Sequence, residues 1–557
     1  MSGFNYLKTA YGPPTQLEKA DPRQVENSAG GYTFVVDDWS RLQRFLVLGA
    51  EGGTYYASEK KLVRENAACV ERLIQIDGPR LVREIAELSE SGRAPKNDPA
   101  ILALALAAKL GDLATKQAAY AALPRICRIG THLYHFAAFA SAIDGGGWGA
   151  GMRRALGRWF NARAVDDVAH QVVKYQSRDG WSAKDVMNLA RPNPKKATGA
   201  GEFTARDALY RWVTYGAEGL DADQCANLPV IVDAFERIKT ETDSKKVVAL
   251  IRERGLPREA VPTEHLTRSE VWEALLPHMG LTALVRNLAT MTRVGVIAPL
   301  GAHVPAICAR LTDAVQLSKA RVHPIQMLSA LMTYAQGHGE RGKSTWTPIQ
   351  QVVDALDAGF YAAFAAVEPT NKATLLAIDV SGSMTTGMIA GCPGLTPRVA
   401  SAAMALVTAA REPNHHIVGF SAASRGYGGQ WGGGQSGLTG IAISARMRLD
   451  DVICAIEKIP MGGTDCALPM IWAEKQKAKI EAIGIYTDNE TWAGSVHPHT
   501  ALKSYRKSSG LATRVAVVGL TASNFTIADP TDAGMMDFVG FDAAAPQLMA
   551  DFFRGGA

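Results

Sequence analysis

From about Trp39 to Phe364, apolar residues recur at three- and four-residue spacing, punctuated by Gly, Pro or residues that cap helices. That is the period of helices that bury one face. Pro79 to Ser91, Asp98 to Leu110, Asp112 to Leu123 and Ser269 to Leu276 are the clearest instances. No long alternating run of β-branched residues interrupts the stretch. Paired helices continued over roughly 300 residues predict an α-solenoid, in which each pair buries its apolar face on its neighbours. The lack of a strict period makes the repeat of the degenerate HEAT kind rather than a tetratricopeptide or ankyrin array.

After Val367-Glu368-Pro369-Thr370 the pattern changes. Thr374 to Val380 is a short continuous apolar run, followed by a helical stretch from Pro397 to Arg411 and further apolar runs at His416 to Phe420, Ala482 to Tyr486 and Arg514 to Leu520. Apolar strands alternating with helices predict a mostly parallel sheet covered on both faces, a doubly wound α/β domain. Between them Ala422 to Gly440, rich in Gly and Ser, reads as a mobile surface loop. The organisation is therefore multidomain: an N-terminal extension over 1–38, an all-α helical array over 39–366 and an α/β domain over 371–557.

Composition narrows the class. A chain of 557 residues with 47% hydrophobic and 20% charged residues is globular and too long for one ordinary core. The apolar stretch Ala100 to Ala108 is ended by Lys109 and reads as a buried helix, so no membrane span is expected. Met1 to Thr15 holds no apolar core, and no secretory signal is expected. The seven cysteines are scattered without C-x-x-C spacing, which suits a reduced, cytoplasmic compartment better than a disulfide frame or a zinc site. The net charge of +5 is divided unevenly, with 44 Lys and Arg against 38 Asp and Glu up to residue 365 and 15 against 16 beyond it. A polyanion therefore prefers the helical part.

The densest chemistry lies in the α/β part. Asp379, Ser381 and Ser383 leave the first apolar strand as D-x-S-x-S, Thr464 lies in a Gly-Gly-Thr-Asp turn, and Asp488 ends another strand. Ligands of open parallel sheets bind beyond the carboxyl ends of strands, where these segments converge. Two carboxylates and three hydroxyls form an all-oxygen set suited to a hard divalent cation, Mg²⁺ first. Strand-end Asp and Ser also serve simply as caps of a following helix. The ordered D-x-S-x-S, Thr and Asp resemble the metal-ion-dependent adhesion site of von Willebrand A domains. Such a site supplies no nucleophile or general base by itself, and no catalytic residue is assigned.

In the helical part, Lys174 and Arg178 are four apart and predicted to share a helix face. Gly180 is expected to end that helix, and Ser182 with Asp185 to start the next as a capping box. Arg191, Lys195 and Lys196 follow, a basic edge suited to phosphates. A solvated surface is the simpler reading of such a run. Arg125, Arg128, His132, Arg286, His323 and His338 are further RNA-binding candidates, although single Arg and His residues in helical repeats more often bridge helices.

Arg44 to Tyr56, Thr115 to Ala119, Cys127 to Leu133, Ala320 to Pro324, Gly337 to Lys343, Gly462 to Cys466, Tyr486 to Thr491 and Phe525 to Pro530 together resemble the Ro autoantigen family of TROVE-module proteins. The resemblance runs in order from about residue 40 to the end. It implies a HEAT-repeat ring closed against a von Willebrand factor A-type domain. It further implies noncoding Y RNA bound outside the ring, and misfolded or structured RNA held in the central hole by a single-stranded 3′ end. Bacterial relatives also tether an exoribonuclease, polynucleotide phosphorylase. Lys174 and Arg178 match the family's Y RNA contacts, whereas Arg191 stands where the family commonly has His. The resulting expectation is a noncoding-RNA scaffold in RNA quality control, without catalytic activity. A metal-dependent protein-interaction module, with the A domain recruiting the partner, is the alternative.

Overall fold

Helices form in the first part where buried positions and caps coincide. In Asp98–Leu110 every residue from Pro99 to Ala108 is buried, because Ala68–Ser91, Leu113–Ile126 and Gly130–Ala142 all pack on it. The structure, a computed structural model, describes residues 14–49, 67–143, 147–339, 344–364, 368–385, 395–421, 437–441, 444, 447–459, 461–521, 524–541 and 544–555. Two short strands, β1 (Gln24–Glu26) and β2 (Tyr32–Val35), precede the first helix, Asp38–Leu48.

Ala68–Ser91 is broken at Asp77 (φ −157°, ψ 80°), two residues ahead of Pro79, whose nitrogen cannot donate to the ladder. Asp77 Oδ1 accepts from the Arg80 amide at 2.9 Å and caps the second half, which is why the pattern marks a helix start at Pro79. Gly78 occupies the break because a Cβ there would lie 2.0 Å from Thr115 Oγ1.

One expected helix folds differently. Val165–Lys174 stops at Lys174, and β3 (Ser177–Arg178) pairs with β4 (Trp181–Ser182) as a hairpin. Asp179 (φ 49°) and Gly180 (φ 78°) form its turn, a left-handed pair that favours Asp-Gly. Lys174 and Arg178 therefore share no helix face, and Gly180 turns a hairpin instead of ending a helix. The capping box of Ser182 and Asp185 is present and starts Ala183–Ala190.

Successive helices lead to Gln350–Ala362, which packs on Val304–Thr312 and Pro324–Ala335. The end of the array then meets its beginning. Arg321 Nε donates to Glu90 O (3.1 Å), His323 Nε2 lies 3.0 Å from Arg93 O, and Gln326 Nε2 donates to Pro95 O (3.2 Å). These bonds span some 230 residues of chain and close the helices into a ring.

The second part is a six-stranded sheet in the order β11-β9-β8-β5-β6-β7, made of β5 (Thr374–Asp379), β6 (His415–Ser421), β7 (Gly437–Gly440), β8 (Ala482–Thr487), β9 (Arg514–Gly519) and β11 (Met535–Val539). All neighbours are parallel except β6 and β7. Alternate residues serve opposite faces: Leu376 and Ile378 pack toward Pro397–Ala409 and Ala545–Arg554, Leu375 and Ala377 toward Leu468–Lys475 and Pro498–Ser509. The stretch expected as a loop up to Gly440 thus ends in an edge strand, while 422–436 lie outside the described residues.

Two features lock the parts together. Strand β10 (Phe525–Thr526) pairs with β2, so the N-terminal strands and the second part share a three-stranded sheet. Arg44, buried on the first helix, reaches Asp537 Oδ2 at 2.6 Å and Phe525 O at 3.2 Å, while Phe541 packs on Phe360, Phe364 and His323. Removing one partner of a buried pair leaves the other charge uncompensated. Arg44→Ala is therefore expected to cost about 3–5 kcal/mol in chemical denaturation, and adding Asp537→Asn to recover part of that loss.

Candidate metal centre and nucleic-acid interface

Strand pairing brings the proposed metal ligands to one place. Ile378 of β5 pairs with Tyr486 of β8, so Asp379 ends its strand beside Thr487, one residue before Asp488. Asp379 Oδ1 accepts from Ser381 N (2.9 Å) and Oδ2 from Thr487 Oγ1 (2.7 Å). The Ser381 and Ser383 hydroxyls lie 3.0 Å apart. Thr464 is drawn in by its carbonyl, which accepts from the Trp492 and Ala493 amides at 3.1 and 3.0 Å. Asp379, Ser381, Thr464 and Asp488 are all buried.

Burial, together with the charge of Asp488, pushes the Asp379 carboxyl up to about 7. Two like charges in a dry pocket are unfavourable unless a cation is shared. Among the described residues no cluster of three or more His, Cys, Asp or Glu offers a metal site, so the donor set here is two carboxylates with hydroxyls. It fits a hard divalent cation that keeps part of its water. Asp465 and Glu490, close in sequence, are turned elsewhere: Asp465 Oδ1 accepts from Gln16 Nε2 (2.8 Å) and Glu490 Oε2 from the Ala29 amide (3.1 Å). Gln16 and Asn27, which tie the N-terminal segment to these loops, carry no sequence signal, being single amides in a polar stretch.

The basic candidates divide into exposed and engaged groups. Lys174 ends its helix and lies over the Tyr175 ring. Arg178 is 59% exposed, 4.0 Å from the carboxylate of Asp179, whose other oxygen lies 2.5 Å from His135 Nδ1. Arg191 is exposed at the left-handed C-cap of Ala183–Ala190, and Lys195 and Lys196 are exposed in the short turn that follows. Among the described residues none of Lys174, Arg191, Lys195 and Lys196 forms an ion pair. Two cations precede the eight-residue helix and three follow it, so about 12 Å of helix separates the groups.

The others are spent on structure. Arg125 is bound through two hydrogen bonds to Glu90 (2.7 and 2.6 Å), which holds the Glu90 carboxyl below its usual range. Arg128 donates to Ser89 Oγ and Arg125 O. His132 stands 3.4 Å from Asn97, and burial pushes its imidazole down to about 3. His323 is the plain correction. It is buried, with Nδ1 accepting from Ile325 N and Nε2 on Arg93 O, and burial pushes it down to about 4; it joins the ring and has no nitrogen left for RNA. Arg286 is exposed and lines a hollow of about 260 Å³ between Leu281–Arg293 and Pro324–Ala335. His338 is exposed in an isolated bridge to Thr345.

Known proteins match along the same division. The TROVE domain family matches residues 25–333, and the family described as the Ro60 vWA domain matches residues 373–553. RNA-binding protein RO60 of Deinococcus radiodurans is 44% identical over 542 residues, covering 97% of both chains. RNA-binding protein RO60 of Caenorhabditis elegans is 34% identical over 97% of this chain and 92% of its own. The crystal structure of the Deinococcus radiodurans RO (RSR) protein superposes with a TM-score of 0.70 at 42% identity, covering 94% of this chain and all of that one.

The paired carboxylates yield a test by melting. In EDTA, Asp379→Asn is expected to melt no lower than the unaltered protein, since one of two buried like charges is gone. Mg²⁺ is expected to raise the melting temperature of the unaltered protein alone. A Mg²⁺ shift that survives the substitution removes Asp379 from the ligand set.

Proposed function

This chain belongs to the Ro60 family, a TROVE domain followed by a von Willebrand A domain, and on that premise we propose that it is an RNA-binding protein whose ring carries small structured RNA on a basic edge. The observation that carries the reading is the contrast between cations. Arg125 and Arg128 are neutralised or satisfied within the protein, whereas Arg178, Arg191, Lys195 and Lys196 are exposed at the ends of their elements and Lys174, half-buried over Tyr175, forms no ion pair among the described residues. Phosphate contacts need cations that keep their charge available to solvent. The RNA is a noncoding Y RNA, held across both ends of Ala183–Ala190. The hollow beside Arg286, with Gln326, Ser329 and Thr333, suits the single-stranded end of a misfolded RNA. Bound RNA then presents its substrate to an exoribonuclease such as polynucleotide phosphorylase, in the cytoplasm.

Binding is favoured over hydrolysis. Two-metal phosphodiester chemistry requires carboxylates for two ions, and Asp465 and Glu490 are already held by the N-terminal segment. A Mg²⁺ ion at Asp379, Ser381, Ser383, Thr464 and Asp488 would supply an open position to an anion. Met461 and Trp492, exposed apolar side chains near Thr464, favour a second reading in which the A domain recruits a protein partner through that ion. Ribonuclease separates the two: partners it releases are tethered by RNA, and partners released only by EDTA are held by the metal face.

Replacing both Lys174 and Arg178 by Ala is expected to weaken stem-loop RNA binding at every salt concentration and to flatten the slope of log K against log salt by about 1 per cation. Arg125→Ala, removing a charge already neutralised by Glu90, is expected to leave that slope unchanged. Filter-binding titrations across a salt series measure both, and an unaltered slope in the double variant overturns the assignment.

A further inference from the structure

The N-terminal segment is bonded to the very loops that carry two of the metal ligands. Gln16 is fully buried. Its amide nitrogen donates to Asp465 Oδ1 and Val496 O, both at 2.8 Å, and its amide oxygen accepts from Thr491 Oγ1 (2.7 Å) and Gly494 N (3.1 Å). A primary amide has two donors and two acceptor sites, and all four are used here. Every one of these side-chain bonds reaches either the residue after Thr464 or the stretch three to eight residues past Asp488. A second amide does the same at a distance: Asn27 Nδ2 donates to Thr491 O at 2.9 Å. Gly31 lies so close that a Cβ would stand 2.0 Å from the same carbonyl.

Within the A domain itself the two loops touch through bonds from the amides of Trp492 and Ala493 to Thr464 O and from the Cys466 amide to Thr491 Oγ1. Gln16 shares Thr491 with the last of these and spans the gap between the loops. The segment is anchored elsewhere by Arg23, which reaches Asp529 at 3.2 Å and Thr531 at 2.9 Å. It continues directly into the first ring helix.

We propose that residues 14–31, through Gln16 and Asn27, position Thr464 against Asp488 and thereby set the cation affinity of the A domain. Gln16 is a positioning residue: it touches no ligand oxygen except through the loops. The inference rests on the metal reading above. Outer partners that orient ligands change metal affinity by about 10–100-fold when removed.

The test is isothermal titration of the full-length, EDTA-stripped protein with Mg²⁺ and with Mn²⁺, alongside melting in EDTA. Gln16→Ala is expected to weaken cation binding at least tenfold, and Asn27→Ala, which removes one bond to the Thr491 carbonyl, to weaken it less. Arg44→Ala removes the tie between the first helix and Asp537, outside this segment and away from the loops, and is expected to lower the melting temperature in EDTA while leaving the cation affinity unchanged. Should Gln16→Ala not fold, Asn27→Ala decides alone. If the unaltered protein takes up no cation, the metal reading falls and this inference with it. If it binds cation and the Gln16 and Asn27 variants bind equally well, the positioning role is wrong while the metal reading stands.

Discussion

A solenoid of paired helices has two ends, each with a face that no further repeat covers. In this chain the ends cover each other and share a lid. Residues 321–326 meet residues 90–95 through side-chain bonds to backbone carbonyls, and Phe541 of the A domain packs on His323, Phe360 and Phe364 at the same place. Ring and A domain are thus parts of one packing solution. His323 shows what this demands of a side chain: a histidine that would suit an RNA surface is buried as a neutral joint instead.

Closure decides which charges remain for a partner. Near the joint, guanidinium groups bridge helices, and Arg125, Arg128 and Arg321 all find acceptors inside the protein. Further along the array, Lys174 and Arg191 sit at helix C-termini, where the macrodipole favours a cation without requiring a counter-charge. In the hairpin between them Asp179 lies closer to His135 than to Arg178, which stays exposed. A surface of unspent cations is what a polyphosphate chain recognises.

The proposed metal centre is governed by different electrostatics. Parallel strands place Asp379 and Asp488 side by side at their carboxyl ends, where burial makes the pair unfavourable alone. The neighbouring carboxylates are withdrawn by a segment more than 400 residues away in sequence, through Gln16 and the Ala29 amide. What remains is two buried carboxylates with neighbouring hydroxyls, a donor set that suits a hard divalent cation.

Much of this was legible in one dimension. The helical period, the apolar strands at 374–380, 416–420, 482–486 and 514–520, and D-x-S-x-S with its later Thr and Asp are local patterns, and local patterns report which face of an element is buried. Where a choice depended on distant chain, the sequence was silent or misleading. Lys174 and Arg178 have helical spacing, yet Asp179 is held by His135 and the backbone turns a hairpin there. His323 reads as a surface cation until Arg93 and Phe541 bury it. Gln16 and Asn27 have no pattern at all, because their role is defined wholly by loops at the other end of the chain. Periodicity and capping determine elements; the pairing of remote backbone and side chains determines which polar groups are consumed in folding and which are left for function.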